Sequence, residues 1–194
     1  MNSLVDAVKR FDTWFNAAGT TELNDANAMY LATVDKKGMP NVRVVLLKSH
    51  DTSGFVFYTN TQSAKGHELL ANKVASLCFD WKSRGRRVII SGTIDMVSNS
   101  EADSYFNSRA RQSRIGAWAS KQSRPLKSKM HLVKKVAEYA LKFPVGPIPR
   151  PPFWTGFRLQ PTRICFQQTA GETEIQETVF TFPATPTTRS ATTK

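Results

Sequence analysis

The stretch Arg43–Asn60, RVVLLKSHDTSGFVFYTN, decides how the rest of the chain is read. Two β-strands, Arg43–Lys48 and Phe55–Thr59, flank a turn in which Ser49, Asp51 and Ser53 are loop-capping residues and Gly54 permits a positive φ. The expected element is a hairpin. Val44 to Leu47 form an unbroken apolar run of the kind found in strands covered on both faces. Arg43 opens the first strand and Lys48 closes it, so two cations stand at the ends of a rigid element. A little further on, Ser63-Ala64-Lys65-Gly66 starts a short helix, whose first N–H groups, hydroxyl and ammonium converge near the same strand ends. Such a place suits an anion. An edge strand protected from aggregation by its lysine would carry the same pattern, and pattern alone does not separate the two.

Working outward, Leu4, Val5, Val8, Phe11, Trp14 and Phe15 recur every three or four residues and mark an amphipathic helix ending near Gly19. Ala28–Asp35 alternates as a strand, with Met29, Leu31 and Thr33 opposing Tyr30, Ala32 and Val34, and Gly38 returns the chain into a strand over Pro40–Lys48. With the hairpin these strands make a meander. Ser63–Asn72 reads as helix, Val74–Trp81 and Arg87–Val97 as β-branched strands with a bulge at Gly92. Ser98 and Glu101 form a capping box for a helix through Ala102–Ser108. If its phase continues, Tyr105, Arg109 and Ser113 project from one face and offer a second anion a phenol, a guanidinium and a hydroxyl. An exposed arginine covering a tyrosine ring has the same spacing. Gly116–Pro125 reads as loop. Lys127–Phe143 is a helix whose apolar stripe is Met130, Val133, Val136, Ala137, Ala140 and Leu141. Pro144–Pro152 is a crossing, and Phe153–Phe157, Arg158–Gln160, Arg163–Gln168 and Val179–Phe182 close the sheet. Residues 1–182 form one domain, and the Thr/Pro-rich segment 183–194 is expected to be disordered.

The expected fold is α+β: an antiparallel barrel or strongly coiled sheet of six to eight strands with flanking helices. With 27 Lys plus Arg against 15 Asp plus Glu, the net charge of +12 favours an anionic partner. The cations are dispersed, densest at Lys82-Ser83-Arg84-Gly85-Arg86-Arg87. Cys78 and Cys165 lack metal or redox spacing and read as buried thiols of a reducing compartment. His50, His67 and His131 are scattered, so no metal is assigned. Neither a secretory h-region nor a membrane-spanning window is present, so the expectation is a cytoplasmic protein without a membrane partner. The aromatics sit in apolar strings rather than between cations, which argues against a nucleic-acid platform.

Five strings in this order resemble the pyridoxine/pyridoxamine 5′-phosphate oxidases, flavoenzymes of the FMN-binding split β-barrel class. They are Arg43 to Lys48, Phe57-Tyr58-Thr59-Asn60, Tyr105 to Arg109, Ile115 to Ser123, and Phe153 to Arg158. The resemblance spans roughly Phe11 to Phe166. It implies an antiparallel Greek-key split barrel and a homodimer with FMN at the subunit interface. The implied FMN contacts are Arg43 (on the phosphate), Val44, Val45, Leu46, Tyr58, Thr59, Lys65, Gln122 and Ser123, with Arg87 near the flavin. Lys48, Tyr105, Arg109 and Ser113 match the positions that hold the phosphate of a vitamin B6 substrate. The implied chemistry is hydride removal from C4′ of pyridoxamine or pyridoxine 5′-phosphate to the flavin, giving pyridoxal 5′-phosphate, with O₂ as final acceptor.

The sequence also departs from the family. Ile164 to Thr178 lacks the tryptophan, the two arginines and the histidine that usually close the site, so no catalytic residue is assigned. Ala64 replaces an arginine beside Lys65, Arg87 replaces a glutamine and is expected to compensate for Ala64, and the family's N-terminal arm is largely absent. Three readings follow: an active oxidase with an altered lid, a flavin-binding relative that acts on another small molecule or carries pyridoxal phosphate, and a basic barrel that binds nucleic acid, the weakest of the three.

Overall fold

Strand β1 (Ala28–Val34) sets the inside of the molecule: Met29, Leu31 and Thr33 are buried and their neighbours are not, the period-two pattern of a strand with one covered face. The computed structural model describes residues 3–120, 129–170 and 174–183 and builds outward from this strand. On one side β2 (Pro40–Leu46) pairs with it along its whole length. On the other side follow β5 (Val74–Trp81), β6 (Arg86–Met96), β7 (Trp154–Ala170), β4 (Gly54–Asn60) and β3 (Ser49–Asp51), all antiparallel. β8 (Glu174–Thr181) pairs with the second half of β7. The eight strands curl into a half-barrel, and β6 bends at Gly92, where the register shifts and a side chain would run into the Gln160 carbonyl. Five helices flank the sheet among the described residues: α1 (Leu4–Gly19), α2 (Ala64–Asn72), α3 (Asn99–Ser108), α4 (Arg111–Ala119) and α5 (Lys129–Lys142). The expected α+β class with six to eight antiparallel strands is the one that forms.

Helix α1 seals the interior. Ser3 and Asp6 cap it reciprocally, and it lays Ala7, Val8, Phe11, Trp14 and Ala18 on the sheet. The Phe11 ring, fully buried, meets His50 at 4.8 Å, Phe55 at 5.0 Å, Phe79 at 5.1 Å and Trp81 at 5.8 Å between centroids. Burying such a ring contributes about 2–3 kcal/mol. A second cluster of Phe106, Ile115, Ile148 and Trp154 ties α3, α4 and α5 to the N-terminal end of β7.

Several expectations change in the structure. The hairpin around Gly54 is real, and Gly54 takes φ +131°, but its first strand is Ser49–Asp51; the Arg43 strand pairs with β1 instead, so no three-strand meander forms. Val44 is not covered on both faces: Val42, Val44 and Leu46 are exposed along one side of β2. Ser98 accepts from the Glu101 N–H as a cap, but the Glu101 carboxylate is taken by Arg158 at 2.8 and 3.0 Å, so the box does not close. Residues 116–119 belong to α4 and not to a loop. In α5, Met130, Val133 and Leu141 face outward, whereas Val136, Tyr139 and, just beyond the helix, Phe143 pack inward because these larger surfaces fit against Trp118. The strands expected at Phe153–Phe157, Arg158–Gln160 and Arg163–Gln168 are one 17-residue strand, and the last one, expected at Val179–Phe182, is β8. Cys165 is buried and Cys78 only half so. The segment from 184 to the end, whose disorder was expected, lies outside the described residues.

Candidate active site

Between β2 and β4 the chain changes partners within one step: the Leu47 N–H bonds to Asn27 O at 2.9 Å and the Lys48 N–H to Val56 O at 2.8 Å. Lys48 is thereby fixed where the sheet splits. α2 begins beside it, with Ser63 accepting from the Gly66 N–H at 3.2 Å. Gly66 is required there, because a Cβ would fall 2.5 Å from Thr61 O and 2.6 Å from Asn60 O. The Lys65 side chain folds back, its Nζ 3.4 Å from Ser63 Oγ. Across the opening, α3 stops at Arg109 (φ −73°, ψ 149°) and α4 starts after Ala110. Tyr105, Arg109 and Ser113 thus do not share one helix face as their spacing suggests; the break between the helices turns all three to the opening.

The result is a hollow of about 540 Å³. Lining it are ten of the fourteen residues singled out from the sequence, namely Val44, Val45, Leu46, Lys48, Tyr58, Thr59, Lys65, Tyr105, Arg109 and Ser113, together with Ala110 and Trp154. The two cationic groups expected to form separate pockets share one space. One wall is a stack of rings: Tyr58 on Tyr105 at 4.0 Å and Tyr58 on Trp154 at 5.0 Å, nearly parallel. The Arg109 guanidinium lies 5.0 Å from the Trp154 ring. Trp154 was not among the sequence candidates, although its string Phe153-Trp154-Thr155-Gly156-Phe157 was conspicuous enough to find it.

The electrostatics are those of a place prepared for negative charge. Among the described residues Lys48, Lys65 and Arg109 make no ion pair, and Arg109 Nη1 is buried without an acceptor. Burial pulls the Lys65 ammonium below its ordinary range, with Arg43 adding to the effect and Glu68 opposing it. Burial likewise lowers Arg109 and pushes Tyr58 up to about 12, with Glu101 and Tyr105 reinforcing it. Cations held unneutralised in a half-closed space gain most from an arriving dianion. The donor set therefore fits a phosphate group, and the stacked rings fit a planar ligand beside it.

Two candidates, Arg43 and Arg87, lie elsewhere. Arg43 turns away from the hollow: Nη2 donates to Glu68 Oε2 at 3.0 Å and Nη1 to the carbonyls of Leu31 and Asn41 at 3.3 Å, as well as to Thr33 Oγ1. Glu68 also accepts from Thr33 and from Asn41 Nδ2, the latter at 3.0 Å. This buried network joins β1, β2 and α2 directly behind Lys65. Arg87 is paired with Asp80 at 3.1 Å and borders a different hollow, so within one chain it does not return a guanidinium to the place left by Ala64. Gln122 and Ser123 lie outside the described residues. Among the described residues no group of three His, Cys, Asp or Glu side chains could hold a metal, and no helix is long and apolar enough to cross a membrane.

A half-barrel that splits open beside Lys48, with cations and stacked rings in the gap, defines a split β-barrel protein with an anion-seeking cleft. The chain belongs to the pyridoxamine 5′-phosphate oxidase family, whose model matches residues 15–143. A Rhizobium etli pyridoxine/pyridoxamine 5′-phosphate oxidase is 58% identical over 158 residues, 81% of this chain and 77% of the relative. A Brucella canis enzyme of the same name is 56% identical over 158 residues, 81% and 78% of the two chains. Among solved structures, PhzG of Burkholderia lata, crystallised with tetrahydrophenazine-1-carboxylic acid, superposes with a TM-score of 0.77 at 27% identity, covering 90% of this chain and 92% of that one. An FMN-binding, pyridoxamine 5′-phosphate oxidase-related protein of Nostoc punctiforme shares the fold, with a TM-score of 0.64 at 15% identity over 89% and 96% of the two chains.

Proposed function

We propose that the protein is an FMN-dependent oxidase of pyridoxamine or pyridoxine 5′-phosphate that forms pyridoxal 5′-phosphate with O₂ as electron acceptor. The observation that carries this reading is the buried, acceptor-less Nη1 of Arg109, which shares one cleft with Lys48, Lys65 and a ring stack. Lys48, Arg109, Ser113 and Tyr105 hold the substrate phosphate, an anchor remote from the reacting carbon whose binding energy orients C4′. Lys65, the α2 N-terminus, Tyr58, Thr59 and the Val44–Leu46 segment hold the flavin nucleotide. Arg43 acts from behind, fixing β2 and α2 through Glu68. When bound, FMN supplies the hydride acceptor that no side chain of the cleft provides.

The working unit is a homodimer. Val42, Val44 and Leu46 on β2 and Tyr30 on β1 form an exposed apolar strip along the sheet edge beside the cleft, the kind of surface that a second copy covers. Arg87, remote from the cleft of its own chain, then reaches the flavin of the neighbouring one, with Gln122 and Ser123 completing the site.

Anaerobic mixing with pyridoxamine phosphate tests the reading: the yellow FMN-loaded protein bleaches within seconds, and an unchanged spectrum refutes it. A second reading, oxidation of a different small molecule or carriage of pyridoxal phosphate with little turnover, rests on the end of β7 and β8. There Gln167 bonds to Glu177 at 2.9 Å and Glu174 is exposed, where the family's closing cations were expected. The likeness to PhzG supports the same reading. Flavin bleaching by a cyclic carboxylate and not by pyridoxamine phosphate would select it.

A further inference from the structure

The densest run of cations, Lys82 to Arg87, contributes only Arg87 to the function above. Arg86 follows the alternation of β6 and faces inward with Val88 and Ile90, opposite to Arg87. Its guanidinium lies over the Trp14 indole, Cζ 4.7 Å from the ring centroid. Arg10, one turn earlier on α1, places a second guanidinium 5.3 Å from the same ring and 5.0 Å from Phe166. Arg84 comes from the 3₁₀ turn Lys82–Arg84 and donates from Nε to Thr21 Oγ1 at 3.3 Å. The three belong to different elements and converge at the end of the barrel that α1 seals, and none of them lines the cleft.

Stacking of an arginine on a tryptophan is a common way to cover a ring, and alone it would need no ligand. Two observations go further. Among the described residues Arg10, Arg84 and Arg86 make no ion pair, whereas Arg43, Arg87, Arg150, Arg158 and Arg163 each do. Arg86 Nε, moreover, is buried without an acceptor, and the residue facing Arg86 on β7 is the neutral Gln168. Burial lowers Arg86, and the charges of Arg84 and Arg10 lower it further, as like charges close to one another do.

We propose that Arg10 and Arg86, both over Trp14, together with Arg84 form a second anion site that takes a phosphate dianion, free or carried on a small molecule. Planar guanidiniums match phosphate oxygens in pairs, and the carboxylate beside Arg84, that of Glu22, is already held by Ser83. The site lies apart from the cleft of its own chain, although Arg86 borders the hollow that Arg87 also lines.

Calorimetric titration of the full chain with inorganic pyrophosphate tests this, in wild type and in Arg86→Gln, Arg84→Gln, Arg10→Gln and Arg109→Gln. The wild type binds at two places. Arg86→Gln and Arg10→Gln each weaken one of them at least tenfold, while Arg109→Gln weakens only the other. Without anion, Arg86→Gln melts no lower than wild type, since it removes repulsion. Unchanged titration of the Arg86 and Arg84 variants, or loss of all binding in Arg109→Gln alone, overturns the assignment, as does a melting temperature several degrees lower with anion binding intact. If Arg86→Gln does not fold, the exposed Arg84→Gln decides by the same criterion. Glycerol 3-phosphate and inorganic phosphate are then compared: equal affinity assigns recognition to the phosphoryl group alone, tighter binding of the ester extends the site. A 20-nucleotide single strand that binds through Arg86 more tightly than pyrophosphate overturns the small-anion reading.

Discussion

The barrel interior under α1 and the cleft beside Lys48 are equally rich in aromatic rings, yet they use them oppositely. Inside, two polar groups that reach the ring cluster around Phe11 are matched: Trp81 Nε1 donates to Ala26 O at 2.9 Å, and His50 Nε2 meets Asp12 Oδ1 at 2.5 Å. In the cleft, Tyr58, Tyr105 and Trp154 stack just as closely, but Arg109 is left without an acceptor. Ring packing thus supports both regions, and the difference lies in the donors: those around Phe11 are satisfied within the chain, and the cleft keeps Arg109 for a ligand.

The comparison breaks most visibly at Phe11. Phe11→Ala should lower unfolding free energy by about 3–5 kcal/mol in denaturant titrations; a loss below about 1 kcal/mol would mean that α1 is not the seal. Next comes the brace behind the cleft. Glu68→Ala strands Arg43 and should cost roughly 3 kcal/mol, the low end for a broken buried pair, because Arg43 is 22% exposed; Glu68→Gln should cost clearly less. In the cleft itself Arg109→Gln should weaken binding of the phosphorylated substrate about tenfold or more, equivalent to the ~1.5 kcal/mol of a charged hydrogen bond, without lowering the melting temperature. A large drop in melting temperature would place Arg109 with the interior instead.

The smallest effect is one of pH. The folded chain lowers the Lys65 pKa from the usual 10.5, so its charged form is disfavoured by folding and stability rises as pH climbs through the lowered value. A bound phosphate favours the ammonium. Affinity for FMN should therefore stay level near neutrality and fall above the lowered pKa, by at most about tenfold per pH unit. Fluorescence titrations between pH 7 and 10 would detect this, and Lys65→Met should flatten the curve.

The strands were legible where neighbours in sequence are neighbours in space. β1 announced its inner face through Met29, Leu31 and Thr33, and Gly92 announced the bulge. β2 did not, because a split barrel separates a strand from its successor, and the rule that consecutive strands pair fails there. For α5 two apolar faces compete in the sequence, and the one bearing Tyr139 with Phe143 beyond it wins because aromatic surface decides the packing. In the cleft the cations were legible by type and by resemblance. The Thr33–Glu68–Asn41 network that occupies Arg43 joins residues up to 35 positions apart, and no local spacing encodes it.

Strand β7 has a consequence of its own. β6 flanks it from Phe157 to Gln168, while the opposite edge is shared in succession by β4 up to Leu159 and by β8 from Arg163, so the stretches Phe157–Leu159 and Arg163–Gln168 are paired on both sides. Protons there should exchange with deuterium only when the whole domain opens, which would make them a gauge of global stability readable residue by residue.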